Sequence, residues 1–348
     1  MSTTEIVREI AESVPHGLVY VSDGVPGITR QRRGAGFAYR RPDRSALRDA
    51  EELARIRRLA IPPAYTQGWI CVLPHGHLQA TARDARGRKQ YRYHACWRSA
   101  RDETKFDRRL AFGAKLPRLR TRVVRDLAVP VGERVLRETV IAASVRLLDT
   151  TLVRVGNDEY ARSNGSFGLT TLRCRHAAVQ GHALRLRFRG KSGVAHGVAL
   201  QDSRVARVVK RCQALPGQAL FQYLDKAGEA HTVGSGDVNA YLREASGGEF
   251  TAKDFRTWHG SVQALQLWHA LDPTEAAAPT LACAKRLLDE VAARLGSAVA
   301  VCRKAYVHPR VLAPLAGDGQ TSPVAKTRQR AGLSAAERGL LTFLNTLG

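Results

Sequence analysis

From Gly17 to about Trp97, apolar and polar positions alternate in short runs broken by Gly and Pro, as in Gly17-Leu-Val-Tyr-Val21, Gly36-Phe-Ala-Tyr39 and Trp69-Ile-Cys-Val72. A period of two predicts strands, so this part of the chain reads as a β-rich domain. One helix interrupts it: Leu53, Ile56 and Leu59 keep helical spacing, Asp49 is placed to cap, Glu52 follows three later, and Pro62-Pro63 sets the stop. After Arg98 the period changes. Leu136, Val140, Ala143 and Leu147, at spacings of four, three and four, put apolar side chains on one helical face. The mainly helical region contains one predicted β island, about Gly168 to Leu200, where Leu184, Leu186 and Phe188 alternate with Arg185, Arg187 and Arg189. Residues 313 to 333, rich in Gly, Pro, Ser and Thr, read as a loose connector before a short helix opened by Ser334 with Glu337 three later. The expected fold is α+β: a β-rich domain over 1–97, a mainly α-helical domain over 98–312, and a connector with a short helix over 313–348.

Charge adds a partner to this picture. The 348 residues carry 55 Lys and Arg against 31 Asp and Glu, a formal net charge of +24 spread along the whole length. A polyanion is the simplest reason, and nucleic acid the first candidate, although ribosomal association or binding to a membrane surface gives the same imbalance. Six cysteines are scattered without a CxxC pair or a histidine at zinc-finger spacing, so reduced thiols and no structural metal are expected. The N-terminal residues carry Glu and Arg where an export signal needs an apolar run, and no stretch approaches eighteen apolar residues. The expectation is a soluble cytoplasmic protein that makes no use of the membrane.

Four places carry candidate chemistry. The Arg-bearing strand turns through Gly190-Lys191-Ser192-Gly193, which sets Lys191 at a hairpin tip. A nucleotide-cradling loop needs Gly five residues before Gly190; Arg185 stands there, so no nucleotide site is expected. Thr251-Ala-Lys-Asp-Phe-Arg256 opens a helix, with Thr251 and Asp254 at capping-box spacing and Lys253 and Arg256 in the first turns, an arrangement suited to phosphate. Arg154 lies among apolar residues, where a charge needs a partner. Tyr306 sits among Arg303, Lys304, His308 and Arg310. Taken singly, each also reads as ordinary structure: a solvated turn lysine, a surface arginine, a packed tyrosine.

In order and spacing, however, Gln90-Tyr-Arg-Tyr-His94, Asp102-Glu-Thr-Lys-Phe106, Asn164-Gly-Ser-Phe-Gly-Leu-Thr-Thr-Leu172, Phe188-Arg-Gly-Lys-Ser-Gly193, Lys253-Asp-Phe-Arg-Thr257 and Val301-Cys-Arg-Lys-Ala-Tyr306 form a series. It resembles the short bacterial and poxvirus-like branch of type IB DNA topoisomerases, over about Gly36 to Pro309. The resemblance implies Tyr306 as nucleophile, Arg154 and Arg256 as the catalytic arginines and Lys191 as general acid. It also implies a monomer that clamps double-stranded DNA in the nucleoid and relaxes supercoils through a 3′-phosphotyrosine intermediate, without ATP, metal or other cofactor. The chemistry agrees. Attack on an anionic phosphodiester concentrates charge on the non-bridging oxygens, which suits two rigid guanidiniums, and the 5′ oxygen leaves readily only when protonated. The implied DNA contacts are Arg88, Lys89, Gln90, Tyr91, Arg92 and Tyr93, then Arg185, Arg187, Arg189, Lys253, Arg303 and Lys304. One position departs: the family places His or Asn nine residues before the nucleophile to hydrogen-bond a non-bridging oxygen, and here it is Ser297, a fifth catalytic candidate that can still donate one hydrogen bond but with shorter reach. Loss of such a donor costs roughly 100 to 1000-fold in rate, so a slow enzyme is expected. A tyrosine recombinase and a non-catalytic DNA-binding relative stay open as alternatives.

Overall fold

The computed structural model describes residues 17–34, 36–130, 135–272, 275, 280–313 and 332–346, leaving aside the side chains of 99–107, 160, 163 and 164. The chain divides into two compact units between Asp107 and Arg108.

The first unit is built on an antiparallel sheet of β1 (Ile28–Arg33), β2 (Gly36–Arg40), β3 (Thr66–Ile70), β4 (Leu78–Arg83) and β5 (Lys89–Tyr93), in the order β2-β1-β3-β4-β5. Helix α1 (Ala50–Arg58) starts where Asp49 accepts the Glu52 amide at 2.7 Å, and it ends before the Pro pair. Its Ile56 joins Ile28, Leu47, Ile70 and Ala80 in a small core. β5 pairs with β4 through Thr81↔Tyr91 and Arg83↔Lys89, and all but Gln90 of its residues are exposed.

The second unit is organised around α3 (Arg137–Thr151), which follows the long α2 (Ala95–Ala128). Val140, Ile141, Ala143, Leu147 and Leu148 are all buried, because α5 (Ser203–Gln213), α6 (Ser235–Ser246) and α7 (Ala252–His269) pack around the helix. α4 (Asp158–Asn164) lies between α3 and the sheet in sequence. The predicted β island is a three-stranded antiparallel sheet of β6 (Ala177–Gln180), β7 (Ala183–Arg189) and β8 (Ala195–Gln201). Along β7, Leu184, Leu186 and Phe188 are buried while Arg185, Arg187 and Arg189 are exposed, so one strand separates core from charge. The expectation of a single island needs correction. A second, two-stranded sheet joins β9 (Gln222–Leu224) to β10 (Ala230–Thr232), and strands of three residues are too short to leave an alternating signature.

Helix α8 (Leu281–Leu295) stops at Gly296 in the left-handed conformation, φ +54°. A turn of α-helix (Val299–Val301) and a π-helical turn (Cys302–Tyr306) follow, then α9 (Pro309–Leu312) and α10 (Ala335–Thr346). α10 opens with both halves of the expected capping box: the Ser334 amide donates to Glu337 at 2.8 Å and the Glu337 amide to Ser334 Oγ at 3.3 Å. Most of the expected connector, 314–331, falls outside the described residues. α10 is tied to the centre of the unit through charge. Arg120 holds both oxygens of Asp149 (2.8 and 2.9 Å) and both of Glu337 (3.0 and 2.8 Å), His259 bonds Asp149 at 2.8 Å, and Trp258 Nε1 donates to Glu337 at 3.2 Å. Buried charges persist only when so completely paired. Among the described residues no helix is long and apolar enough to cross a membrane.

Candidate active site

Arg154, Arg256, Ser297 and Tyr306 come together in the second unit, each brought in by the end of a different segment. α3 ends at Leu152 with φ +59°, and the chain leaves it as Val153-Arg154. This exit is clasped by the segment whose motif reads Gly168-Leu-Thr-Thr-Leu172: the Leu169 amide donates to Arg154 O at 2.8 Å and the Thr170 amide to Val155 O at 2.7 Å. The two backbones cross at Gly156 and Gly168, where a Cβ on Gly168 would lie 2.4 Å from Gly156 Cα and 2.8 Å from Arg154 O. Arg154 then reaches the end of α8, donating from Nη1 to Gly296 O at 3.0 Å and from Nη2 to Ser297 Oγ at 3.3 Å.

Arg256 occupies the second turn of α7, 3% exposed. Nη2 donates to Leu295 O at 2.7 Å, Nη1 donates to Leu152 O, and the Nε hydrogen is buried without a partner among the described residues. The start of α7 differs from the expected phosphate site. Asp254 accepts both the amide and the hydroxyl of Thr251 (2.7 and 3.0 Å), which is half a capping box, and Asn239 takes the Ala252 amide at 3.0 Å. With that amide taken internally, the helix start offers less to an anion than its sequence suggests, and Arg256 faces the carbonyls instead.

Tyr306 ends the π-helical turn, in which the Val307 amide reaches Cys302 O at 3.1 Å; such turns recur at functional sites. Ser261 fixes it from behind, donating to Tyr306 O (3.2 Å) and accepting the His308 amide (3.0 Å), while Arg109 donates to Ala305 O at 3.1 Å. The phenol is 8% exposed, and the Arg256 guanidinium carbon lies 4.9 Å from its ring centre. Burial alone pushes the phenol up. The charge and hydrogen bond of Arg256, then those of Arg154, outweigh it and hold Tyr306 below the usual phenol value. Burial and the charge of Arg154 in turn push Arg256 down.

Lys191 stands exposed on the turn between β7 and β8, where Ser192 and Gly193 have φ +63° and +77°. Lys253, Arg303 and Lys304 are exposed, as are the three arginines of β7. In the first unit, Tyr91 and Tyr93 are outside the core, 46% and 37% exposed and stacked on each other at 6.1 Å. Arg88 pairs with Asp84 at 2.7 Å, Gln90 donates to the same carboxylate at 3.0 Å, Lys89 pairs with Asp23 at 2.5 Å, and Arg92 donates to Ala60 O at 3.3 Å. The edge strand is therefore held in shape by polar side chains on and beside it, and its two tyrosines remain exposed.

His259 and His308, the histidines nearest Arg256 and Tyr306 in sequence, are both engaged elsewhere. His259 bonds Asp149, and His308 Nδ1 accepts the Arg310 amide in a buried position where its pKa is pushed down to about 3 by burial and by Arg109 and Arg310. Sequence reasoning missed Ser261, which only the approach of α7 to the π-helical turn reveals.

A family model for the catalytic core of eukaryotic DNA topoisomerase I matches residues 94–327, and a model for the N-terminal domain of bacterial DNA topoisomerase IB matches residues 36–84. The chain is similar to the DNA topoisomerase 1B of Acanthamoeba polyphaga mimivirus, 33% identical over 244 residues that cover 69% of this chain and 72% of the viral protein.

Proposed function

The chain belongs to the type IB DNA topoisomerase family and is a DNA topoisomerase, and from that premise we propose that it cuts one strand of duplex DNA with Tyr306, using Arg154, Arg256 and Lys191. The Tyr306 phenol gives up its proton to solvent water and its oxygen attacks the scissile phosphorus. A P–O bond forms to the tyrosine as the bond to the 5′ oxygen breaks, and Lys191 protonates that leaving oxygen. Arg154 and Arg256 balance the charge that gathers on the non-bridging oxygens. The 3′-phosphotyrosine ester stores the energy of the broken bond, so the free 5′ hydroxyl reverses the step after the strand has swivelled. Arg185, Arg187, Arg189, Lys253, Arg303 and Lys304 hold the DNA by its phosphates, and Arg88, Lys89, Gln90, Tyr91, Arg92 and Tyr93 serve the same end from the first unit.

The observation that carries this reading is the Arg256 guanidinium 4.9 Å from the Tyr306 ring centre in a buried site; its charge and that of Arg154 hold the phenol below its usual value and so favour the phenolate the attack requires. The buried, unpartnered Arg256 Nε hydrogen supports it, since a buried donor calls for an acceptor and a phosphate oxygen is one. The test is Tyr306→Phe. It should bind duplex DNA as before, form no covalent protein–DNA adduct, and leave a supercoiled plasmid unrelaxed. Unchanged relaxation by that variant would refute the mechanism.

A further inference from the structure

His196 lies on β8 directly across from Phe188, in the register Phe188↔His196, with the two rings stacked at 5.1 Å and 14°. Two backbone segments close on the edge of its imidazole. A Cβ on Gly190 would fall 2.5 Å from both Cδ2 and Nε2, and one on Gly296 would fall 2.4 Å from Cε1 and 3.4 Å from Nε2. Gly190 has φ −97°, which any residue adopts, so the backbone does not call for glycine there; the ring does. A side chain at Gly190 would lie over the Cδ2–Nε2 edge, and one at Gly296 over Cε1, between the two ring nitrogens. Glycine at both positions lets the two backbone segments approach the half-buried ring.

The neighbours of these glycines are the groups assigned to the reaction. Gly190 precedes Lys191, and Gly296 precedes Ser297 and accepts Arg154 Nη1. The imidazole thus stands between the general-acid turn and the end of α8, and the charges that act on it are those of Arg154 and Arg256. Burial, then those two charges, hold it below the usual histidine value, so at neutral pH it is uncharged and carries one N–H. Among the described residues no hydrogen bond to either ring nitrogen is formed. Ser297 is differently placed: its Oγ accepts Arg154 Nη2 at 3.3 Å, so it serves to hold that arginine.

We propose that His196 is a catalytic residue of strand cleavage, donating its imidazole N–H to a non-bridging oxygen of the scissile phosphate, a contact for which the shorter Ser297 has less reach. This inference rests on the reading of Tyr306 given above. It changes the expectation of a slow enzyme, because a third donor is present after all, delivered by β8 instead of by the turn before the nucleophile.

The experiment is single-turnover cleavage of a duplex oligonucleotide whose scissile phosphate is native or one of the two phosphorothioate diastereomers. His196→Ala should slow cleavage of the native substrate by roughly 100 to 1000-fold without loss of DNA binding, while Ser297→Ala costs less. His196→Gln, which carries an N–H at similar reach, should recover much of the rate. With sulfur at the oxygen that His196 touches, the wild-type hydrogen bond is already weakened. The His196→Ala penalty should therefore shrink for one diastereomer and persist for the other. An equal penalty on all three substrates would reduce His196 to a packing role, and a wild-type rate for His196→Ala would remove it altogether. Should the alanine variant not fold, the same three-substrate comparison on His196→Phe, which keeps a ring stacked on Phe188 but carries no N–H, decides. Tyr306→Phe is run alongside: adduct formation by that variant would sink the tyrosine reading itself, whereas an inert Tyr306→Phe with an unaffected His196→Ala would sink the inference alone.

Discussion

Gly168→Ala tests how finely Arg154 is placed. The added methyl would meet Gly156 Cα at 2.4 Å, Gly156 N at 2.5 Å and Arg154 O at 2.8 Å, all backbone atoms that no rotamer change can move aside. Ordinary carbon contacts begin near 3.5 Å, so the two segments must part by roughly 1 Å. That displacement acts on the segment carrying Arg154, which the Leu169 and Thr170 amides clasp at 2.8 and 2.7 Å. Overpacking of this kind costs about 1–3 kcal/mol, and a catalytic group misplaced by about 1 Å loses on the order of 100-fold in rate. In a unit of this size each kcal/mol moves the melting temperature by about 2–4 °C, so Gly168→Ala should still be folded at room temperature. The expected result is single-turnover cleavage slowed about 100-fold, with duplex binding nearly intact and a melting temperature lower by several degrees. Because the damage is routed through Arg154, the double variant with Arg154→Ala should be scarcely slower than Arg154→Ala alone. A wild-type rate for Gly168→Ala, or a loss that adds in full to that of Arg154→Ala, would refute the reasoning.

Two further outcomes follow from the same unit. Burial raises the Asp149 and Glu337 carboxyls, but His259 and Arg120 bring Asp149, and Arg120 brings Glu337, below the usual carboxylate range. A carboxylate depressed on folding contributes stability above its unfolded pKa, near 4, and loses it as pH falls toward the folded value. The melting-temperature gap between the wild type and Glu337→Gln should accordingly be widest near neutral pH and narrow below about pH 4; a gap independent of pH would contradict the pairing. On β7, Arg185, Arg187 and Arg189 form the exposed row opposite the buried Leu184, Leu186 and Phe188. Replacing all three by Gln should leave the melting temperature close to unchanged and lower the slope of log affinity against log salt by roughly 0.9 for each phosphate that is no longer neutralised. An unaltered slope, measured by titrating duplex DNA at several salt concentrations, would remove these arginines from the DNA-binding surface.

The period of two along Leu184 to Arg189, the caps at Asp49 and Ser334 and the helix stop at Gly296 are legible in the sequence because each is decided within a few residues. What escapes such reading is what distant segments bring together. His196 sits on an ordinary stretch of strand, and only the approach of Gly190 and Gly296, about a hundred residues apart in the chain, makes its ring edge a feature. The π-helical turn before Tyr306 likewise has no sequence period of its own; it is pinned by Ser261 and Arg109 from other helices. The Thr251–Asp254 spacing predicts a helix start suited to phosphate, yet the pair forms only half the expected box and Asn239 from α6 takes the first amide.

Arg154, set among apolar residues, needs a partner, and the kind of partner it has bears on the chemistry. Neither Arg154 nor Arg256, the arginines of the proposed mechanism, is paired with a carboxylate among the described residues. Arg154 donates to Gly296 O, and Arg256 to Leu295 O and Leu152 O, so both guanidiniums are held by the carbonyls that close α8 and α3. Helix ends leave such carbonyls without intrahelical donors, and the helix dipole there favours a cation. A neutral carbonyl fixes a guanidinium in place without cancelling its charge, whereas a carboxylate would cancel it. Both arginines thus keep their positive charge in a rigid position before DNA arrives, which lowers the cost of reorganisation when charge builds on the phosphate. On the proposed mechanism the left-handed endings at Leu152 and Gly296 serve the chemistry as well as the fold: each stops a helix where its last carbonyls hold an arginine beside Tyr306.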